Sequence, residues 1–447
     1  MVAHAEDRQT RPDIALLLFL LLNATLILRP AELVPALAEV PIYEFLILGA
    51  CVFAHRRILR QFSLRAMTWQ PVSLCVVGLL FSAVMSHLAH LYLSAALDAG
   101  VLFFKTLIYY ALFLAVISSV QRLRLFFLAV ALASSGLVAL CVADYLGWLD
   151  LPFVNHIVEW DGVTWTNEAR RVVRMRGAGI FSDPNDISLL IVAAGVLCSY
   201  FLADRRRGTL RFLWLGPIVV LLCGLYCTRS RGGLLAAGAA GMTLLYFRCG
   251  WKPAIALAVV GLAMLPVMGG RQASIDLESG TGHERILLWR DGFVAIQSPD
   301  VLFGIGLGMY EDVAGLVAHN SFIHAYVELG LVGGTLFFGC FFFSGLALLR
   351  MRRLISRVTD PDLRSMYPFV AAVLVGWCMG MMSLSRCYVV PTYMVAAIGA
   401  VYVNLVRAHV KPVSLLVRWD LTNVIRLATS SAALFLSLFI LTIAIAN

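Results

Sequence analysis

At 447 residues, 61% hydrophobic and only 14% charged, with a mean hydropathy of +0.87, the chain lies far outside the composition of a soluble globular protein. Apolar windows of roughly 17 to 25 residues recur along its whole length and none alternates residue by residue; this excludes an outer-membrane barrel and predicts an all-α polytopic membrane protein. The net charge of +9 does not point to nucleic acid, because the basic residues are dispersed among short loops, where topology and anionic membrane lipids account for them.

The first apolar run, residues 14–28, follows Arg8 and Arg11 and has the outline of a signal peptide, with Ala36 and Ala38 imitating a cleavage site. Arg29, Pro30 and Glu32 interrupt the approach to that site, so a signal anchor is expected. Further spans are predicted near 42–54, 71–91, 96–117, 125–146, 187–203, 210–227, 232–247, 253–268, 322–349, 366–385, 389–406 and 424–446. Basic clusters at 55–65, 121–124, 205–211, 248–252, 350–364 and 407–418 occupy alternate loops, which by the positive-inside rule places them and the N-terminus in the cytoplasm. The intervening loops then face the periplasm, and two of them, 147–186 and 269–321, are long. Arg418, Asp420 and Arg426 flank the last span, which is predicted either to cross or to lie at the interface, giving about 12–13 transmembrane helices. No internal repeat and no mid-membrane helix break is visible, and a single integral membrane domain over 1–447 is expected. Ten cysteines are scattered singly, with no CxxC pair and no Cys/His metal spacing, and read as small buried hydrophobes.

Functional residues are sought in the loops that break a rule. The 147–186 loop carries Arg170, Arg171, Arg174 and Arg176 on the side where every other loop avoids positive charge. The short turn TRSRGG adds Arg229 and Arg231 ahead of a Gly/Ala-rich span suited to close packing. The 269–321 loop contains HERILLWRDGFVAIQ, with Arg285 and Arg290 on a predicted helix. Taken singly, each arginine reads as snorkelling to headgroups or as paired with Glu284, Asp291 or Asp183. As a set on one side of the membrane, guanidiniums want an anion, and their planar fork suits the oxygens of a diphosphate.

At AHNSFIHAYVELGLVGG, residues 318–334, the chain re-enters the membrane. Asn320 or Ser321 is the expected N-cap, which places His324 and Glu328 on one face, Glu328 about 10 Å inside the helix start. An ionisable group at that depth is costly unless paired or facing a cavity. His319 and Glu328 are therefore the candidate catalytic residues, His319 as a base for a hydroxyl proton. An Asp-x-Asp pair at Asp360 and Asp362 lies among cytoplasmic arginines, away from the candidate site. Asp183 and Asp186 are opposed as cation ligands by neighbouring arginines, and the chain lacks a Walker-type glycine loop, so no metal, nucleotide or other cofactor is expected.

The pieces RMRGAGIFSDPNDISLL, TRSRGGLLAAGAAG, ERILLWRDGFVAIQSPDVLFGIGLGMY and HNSFIHAYVELGLVGG, in that order, resemble the O-antigen ligase and polysaccharide polymerase superfamily of bacterial envelope proteins. The resemblance implies a GT-C-type membrane glycosyltransferase of the inner membrane, with a glycan on undecaprenyl diphosphate as donor and no metal requirement. It implies diphosphate contacts for Arg176, Arg229, Arg231 and Arg285, to which Arg290 is added here, and a base or acceptor-positioning role for His319. Two spacings, Arg231 with Leu235 four residues on and His319 with Gly330 eleven on, are similar to those of ligases. An O-antigen ligase using lipid A core as acceptor is the first reading, and a polymerase extending a growing glycan is the alternative. A transporter of anions or lipid-linked sugars is the reading from another class.

Overall fold

In lipid a backbone satisfies its own polar groups most simply as a helix, and each predicted span is one. The computed structural model describes residues 13–151, 154–163, 169–268, 281–296, 300–410 and 417–446. In chain order the helices are α1 Ile14–Leu28, α2 Pro30–Leu33, α3 Ile42–Gln61, α4 Leu64–Trp69, α5 Pro71–Leu88, α6 Leu93–Val116, α7 Val120–Tyr145 and α8 Pro184–Ala203. They continue as α9 Leu215–Thr228, α10 Arg231–Cys249, α11 Trp251–Met268, α12 Thr281–Ala295, α13 Tyr310–Ala314, α14 Ser321–Met351, α15 Pro361–Met381, α16 Val390–His409 and α17 Leu421–Ala446. Among the described residues, nine helical stretches are long and apolar enough to cross a membrane, the 3-10 segment Arg205–Trp214 counted with α9. The other four predicted spans, α1, α3, α10 and α11, are helical but shorter or less apolar.

One element departs from the all-helical expectation. Within the first long loop, β1 Ile157–Val163 and β2 Ala169–Arg174 form an antiparallel hairpin, with Ile157 opposite Arg174 and Glu159 opposite Val172. Beyond β2 the Met175 amide donates to the Cys227 carbonyl at 3.0 Å, so the hairpin continues onto the end of α9.

The basic loops gather at one end of the bundle. Asp13 caps α1 by accepting from the Ala15 amide at 3.1 Å and receives Arg57 from α3 at 2.7 Å and Arg122 from α7 at 2.8 Å. The Arg57 hydrogen bond in particular lowers its carboxyl to about 2. At the same end Arg124 pairs with Asp204, Arg206 with Asp362 at 2.6 Å, and Arg350 with Asn423 at 2.9 Å. We call this the basic end and the opposite one, which holds His319, the site end. α17 starts at the basic end and runs along α14: Ser431 meets the Tyr326 hydroxyl at 2.6 Å and Thr335 at 2.7 Å, and Phe435 and Phe439 pack edge-on against Phe293 of α12. It therefore runs the depth of the bundle along its periphery, with Ile425, Leu436 and Ile440 exposed, instead of lying across one end.

The expectation of unbroken spans is corrected by α14. At Gly330 the backbone turns to φ 67° and ψ −170°, about 14 Å into the helix from Ser321. The amides of Leu331 and Val332, which would have bonded the carbonyls of Val327 and Glu328, donate instead to Val301 (2.8 Å) and Leu302 (3.2 Å). The two vacated carbonyls accept from Ile305 and Gly306, both at 3.1 Å. The 300–307 segment is thus inserted between the halves of α14. α5 and the turn after it close it from the other side: His87 Nε2 lies 2.9 Å from the Leu307 carbonyl, His90 Nε2, in the turn, lies 3.0 Å from that of Gly304, and Ser86 accepts from the Leu307 amide at 3.1 Å. A side chain at Gly330 would strike the Leu302 carbonyl, and one at Gly304 the backbone of Glu328.

Gly330→Ala therefore meets both a left-handed φ and a backbone clash. It should lower stability by about 2 kcal/mol or more in thermal unfolding of the detergent-solubilised protein. Gly345→Ala, in the same helix with open space around it, should be neutral or slightly stabilising.

Candidate active site

The helix ends at the site end are each shaped by a capping residue that also fixes a neighbour. Asn320 is buried and caps α14, accepting from the amides of Phe322 (3.0 Å) and Ile323 (3.3 Å). His319, just before it, adopts a left-handed φ of 50°, and the preceding Ala318 carbonyl accepts from Trp289 Nε1 of α12 at 2.6 Å. The histidine is thereby held between α12 and α14. Ser230 caps α10, accepting from Gly233 at 2.9 Å, and donates to Asn185 Oδ1 at 2.7 Å, which docks the start of α10, with Arg231, on the start of α8.

Around His319 stand groups from four elements. Partial burial lowers its pKa from the ordinary value, and the positive charges of Arg285 on α12 and Arg386 on the α15–α16 turn act in the same direction; Asp183, the cap of α8, opposes them. The net effect favours the neutral imidazole, the form that can accept a proton, while making it a weaker base than an exposed histidine. Asp183 itself accepts from the Asn185 amide at 2.7 Å.

Arg386 was not singled out from the sequence. It makes a two-point ion pair with Asp186, its Nε at 2.6 Å from Oδ1 and its second nitrogen on Oδ2. Its backbone amide donates to Ser321 Oγ at 2.9 Å, and Ser321 Oγ donates to the Leu384 carbonyl at 2.5 Å. One residue so joins α8, α14 and the α15–α16 turn. The only sequence signal was a lone arginine in a short turn on the side otherwise poor in basic loops.

The predicted arginines fall into different surroundings. Arg229 caps α9 with φ 52° and lies over the Tyr226 ring at 4.1 Å. Arg176 is half-buried, with an Nε that meets no partner among the described residues, and its charge helps burial to lower the His156 pKa. Arg174, named only as a rule-breaker, is the buried member of its loop: it donates to the Thr228 carbonyl (3.1 Å), Glu159 (2.8 Å) and Asn185 (3.3 Å). Arg290 is exposed and pairs with Asp291 at 3.0 Å. Five residues from Arg285 it is turned roughly 140° around α12, so the two do not share a face. Leu235 is 60% exposed on α10. The side chains of Arg170 and Arg171 lie outside the described residues.

His324 and Glu328 do share a face, as their spacing predicts, with Nε2 to Oε1 at 3.0 Å. Glu328 is only 1% exposed, and the same oxygen accepts from the Tyr310 amide at 3.1 Å. The His324 ring stacks on Tyr310 at 5.0 Å. This carboxylate pins α13 to α14 from inside the protein.

The O-antigen ligase family matches residues 216–338, a stretch holding three of the four motif pieces, with α10, α12 and His319 among them. The match bears out the resemblance and supports the O-antigen ligase and polysaccharide polymerase superfamily, with an O-antigen ligase-like function at the level of the family. No curated protein matches the chain.

Removing Arg386 leaves Asp186, 5% exposed, without its counter-charge. Arg386→Ala should cost about 3 kcal/mol in thermal unfolding, and the Asp186→Asn, Arg386→Gln double variant should recover a large part of that loss.

Proposed function

We propose that the chain is a metal-independent, inverting glycosyltransferase of the GT-C type that moves a glycan from undecaprenyl diphosphate to a sugar hydroxyl at the periplasmic face of the inner membrane. The observation that supports the reading is His319, held between α12 and α14 by the Trp289–Ala318 bond with Asp183, Arg285 and Arg386 near enough to act on its charge. The acceptor is lipid A core in the ligase reading and a growing glycan in the polymerase alternative. The gathering of basic loops at the opposite end supports the periplasmic orientation.

In the proposed reaction the acceptor oxygen attacks the anomeric carbon from the face opposite the diphosphate. As that bond forms, the bond from carbon to the diphosphate oxygen breaks, undecaprenyl diphosphate departs with the electron pair, and His319 takes the hydroxyl proton. Arg231 and Arg285, with Arg176 and Arg229 flanking, offset the charge that grows on the leaving group. The carboxylates beside the site are committed, Asp186 to Arg386 and Asp183 to an amide of its own cap, which supports charge neutralisation by arginine. Glu328, inaccessible and already bonded twice, is assigned to positioning.

A broken helix at membrane depth is a pointer to a transporter site. In α14, however, the carbonyls and amides released at Gly330 bond to the 300–307 segment, leaving the break filled by protein and favouring the transferase reading.

Purified protein with lipid-linked glycan and acceptor should form product in EDTA; strict dependence on a divalent metal would refute the mechanism. His319→Ala should reduce turnover by about a hundredfold or more while donor binding survives. Arg231→Lys and Arg285→Lys should restore activity only in part relative to alanine, because lysine lacks the fork. A strain lacking the protein separates the acceptors: a ligase defect removes capped lipopolysaccharide while long lipid-linked polymer accumulates, and a polymerase defect leaves single-unit capping.

The rate should fall on the acid side as His319 protonates, with a midpoint below the ordinary histidine value of about 6.5. Because the Arg285 charge helps hold that pKa down, Arg285→Gln should move the acid limb of kcat/KM to higher pH, whatever it does to the plateau. An unmoved limb would separate His319 from the titrating group.

A further inference from the structure

At the basic end, between the ends of α8, α10 and α15, lies a cavity of about 680 Å³, within the size range of ligand pockets. Five arginines line it, Arg205, Arg206, Arg248, Arg352 and Arg364, against two carboxylates, Asp204 and Asp362. Both carboxylates are already matched: Asp204 by Arg124 and, at 3.6 Å, Arg207; Asp362 by Arg206 at 2.6 Å. Arg248 and Arg352 are held by aromatic faces, Arg248 over Phe369 at 5.5 Å and Arg352 over Tyr246 at 4.4 Å with a hydrogen bond to its hydroxyl. Among the described residues no carboxylate lies within ion-pair distance of these two or of Arg364. An aromatic face orients a guanidinium without cancelling its charge, so the cavity keeps a net positive potential.

The mouth of the cavity lies at a lipid boundary. The adjoining 3-10 segment alternates Arg205, Arg206, Arg207 and Arg211 with Leu210, Phe212 and Leu213, which are 66%, 51% and 72% exposed. Trp251, at the α10–α11 turn beside Gly250 of the cavity wall, is 60% exposed. Exposed apolar side chains interleaved with arginine, next to an exposed tryptophan, mark the headgroup layer of a bilayer.

We propose that this cavity binds the phosphate of an anionic phospholipid headgroup from the leaflet at the basic end, with Arg248, Arg352 and Arg364 as its ligands. The headgroup then ties together three helices whose other ends carry Asp186, Arg231 and the α15–α16 turn. The proposal is independent of the glycan chemistry at the site end.

The test is native mass spectrometry and thermal unfolding of the full chain in detergent, with phosphatidylglycerol and phosphatidylethanolamine supplied in equal amounts. Phosphatidylglycerol should be retained preferentially and should raise the melting temperature. The Arg248→Gln, Arg352→Gln double variant should lose retention by about tenfold or more. Arg364→Gln, at a position with no described pairing in the fold, serves as the second variant and should weaken retention without changing stability in lipid-free detergent. Equal retention of the two lipids, or undiminished retention in Arg364→Gln, overturns the proposal. Inorganic phosphate at millimolar concentration tells the sources apart: if it stabilises the protein as much as the lipid does and displaces it, the ligand is a soluble phosphate and the lipid assignment fails.

Discussion

The structure turns on the requirement that no backbone polar group at membrane depth be left alone. Gly330 interrupts α14 well inside the bundle, and four hydrogen bonds to the 300–307 segment replace those the helix gives up. In hydrocarbon each unmade bond would cost several kcal/mol, so the segment has one place to go. That fixes where the second long loop ends. Between the seat of this segment and the Asn320 cap, α13 is bridged by Glu328 and the run up to His319 is held by Trp289. A histidine placed at the end of so constrained a path keeps its position without a rigid loop of its own.

The two ends of the molecule treat positive charge differently. At the basic end arginines meet carboxylates in pairs that join neighbouring helices, as Asp13 does for α1, α3 and α7. At the site end the buried pairs are few and structural: Arg386 with Asp186, and Arg174 with Glu159, Thr228 and Asn185. These hold α8, the hairpin and the α15–α16 turn in register, and the arginines of α10 and α12 are brought to the same end by that scaffold. The division explains why arginines in one loop have unlike roles, Arg174 buried in a network and Arg176 with an unpartnered Nε.

Helices were legible because hydropathy over some twenty residues is a local property, and so were the Asn320 cap and the His324–Glu328 pair, which are set by spacing on one helix. What escaped was non-local. Arg386 takes its meaning from Asp186, two hundred residues earlier, and a lone arginine in a turn carries no trace of that partner. The break in α14 was written in two glycine-containing stretches, GIGLG and ELGLVGG, yet each alone reads as an ordinary apolar stretch. Only their pairing shows that Gly304 and Gly330 pass backbone against backbone. Arg290 shows the opposite limit: its composition and position fit the set, and only its place on the helix shows that it meets Asp291 on a face apart from Arg285.

The threading of the 300–307 segment through α14 also bears on how the protein is made. Synthesis delivers residues 300–307 before 327–332, so when the segment appears, the carbonyls and amides that will receive it do not yet exist. Its four partner groups are supplied only once the chain has reached Val332, and its own apolar composition, VLFGIGL, suits the buried seat it then takes. Seating of the 300–307 segment and completion of α14 are thus one event, since neither set of backbone groups is satisfied until the other is in place.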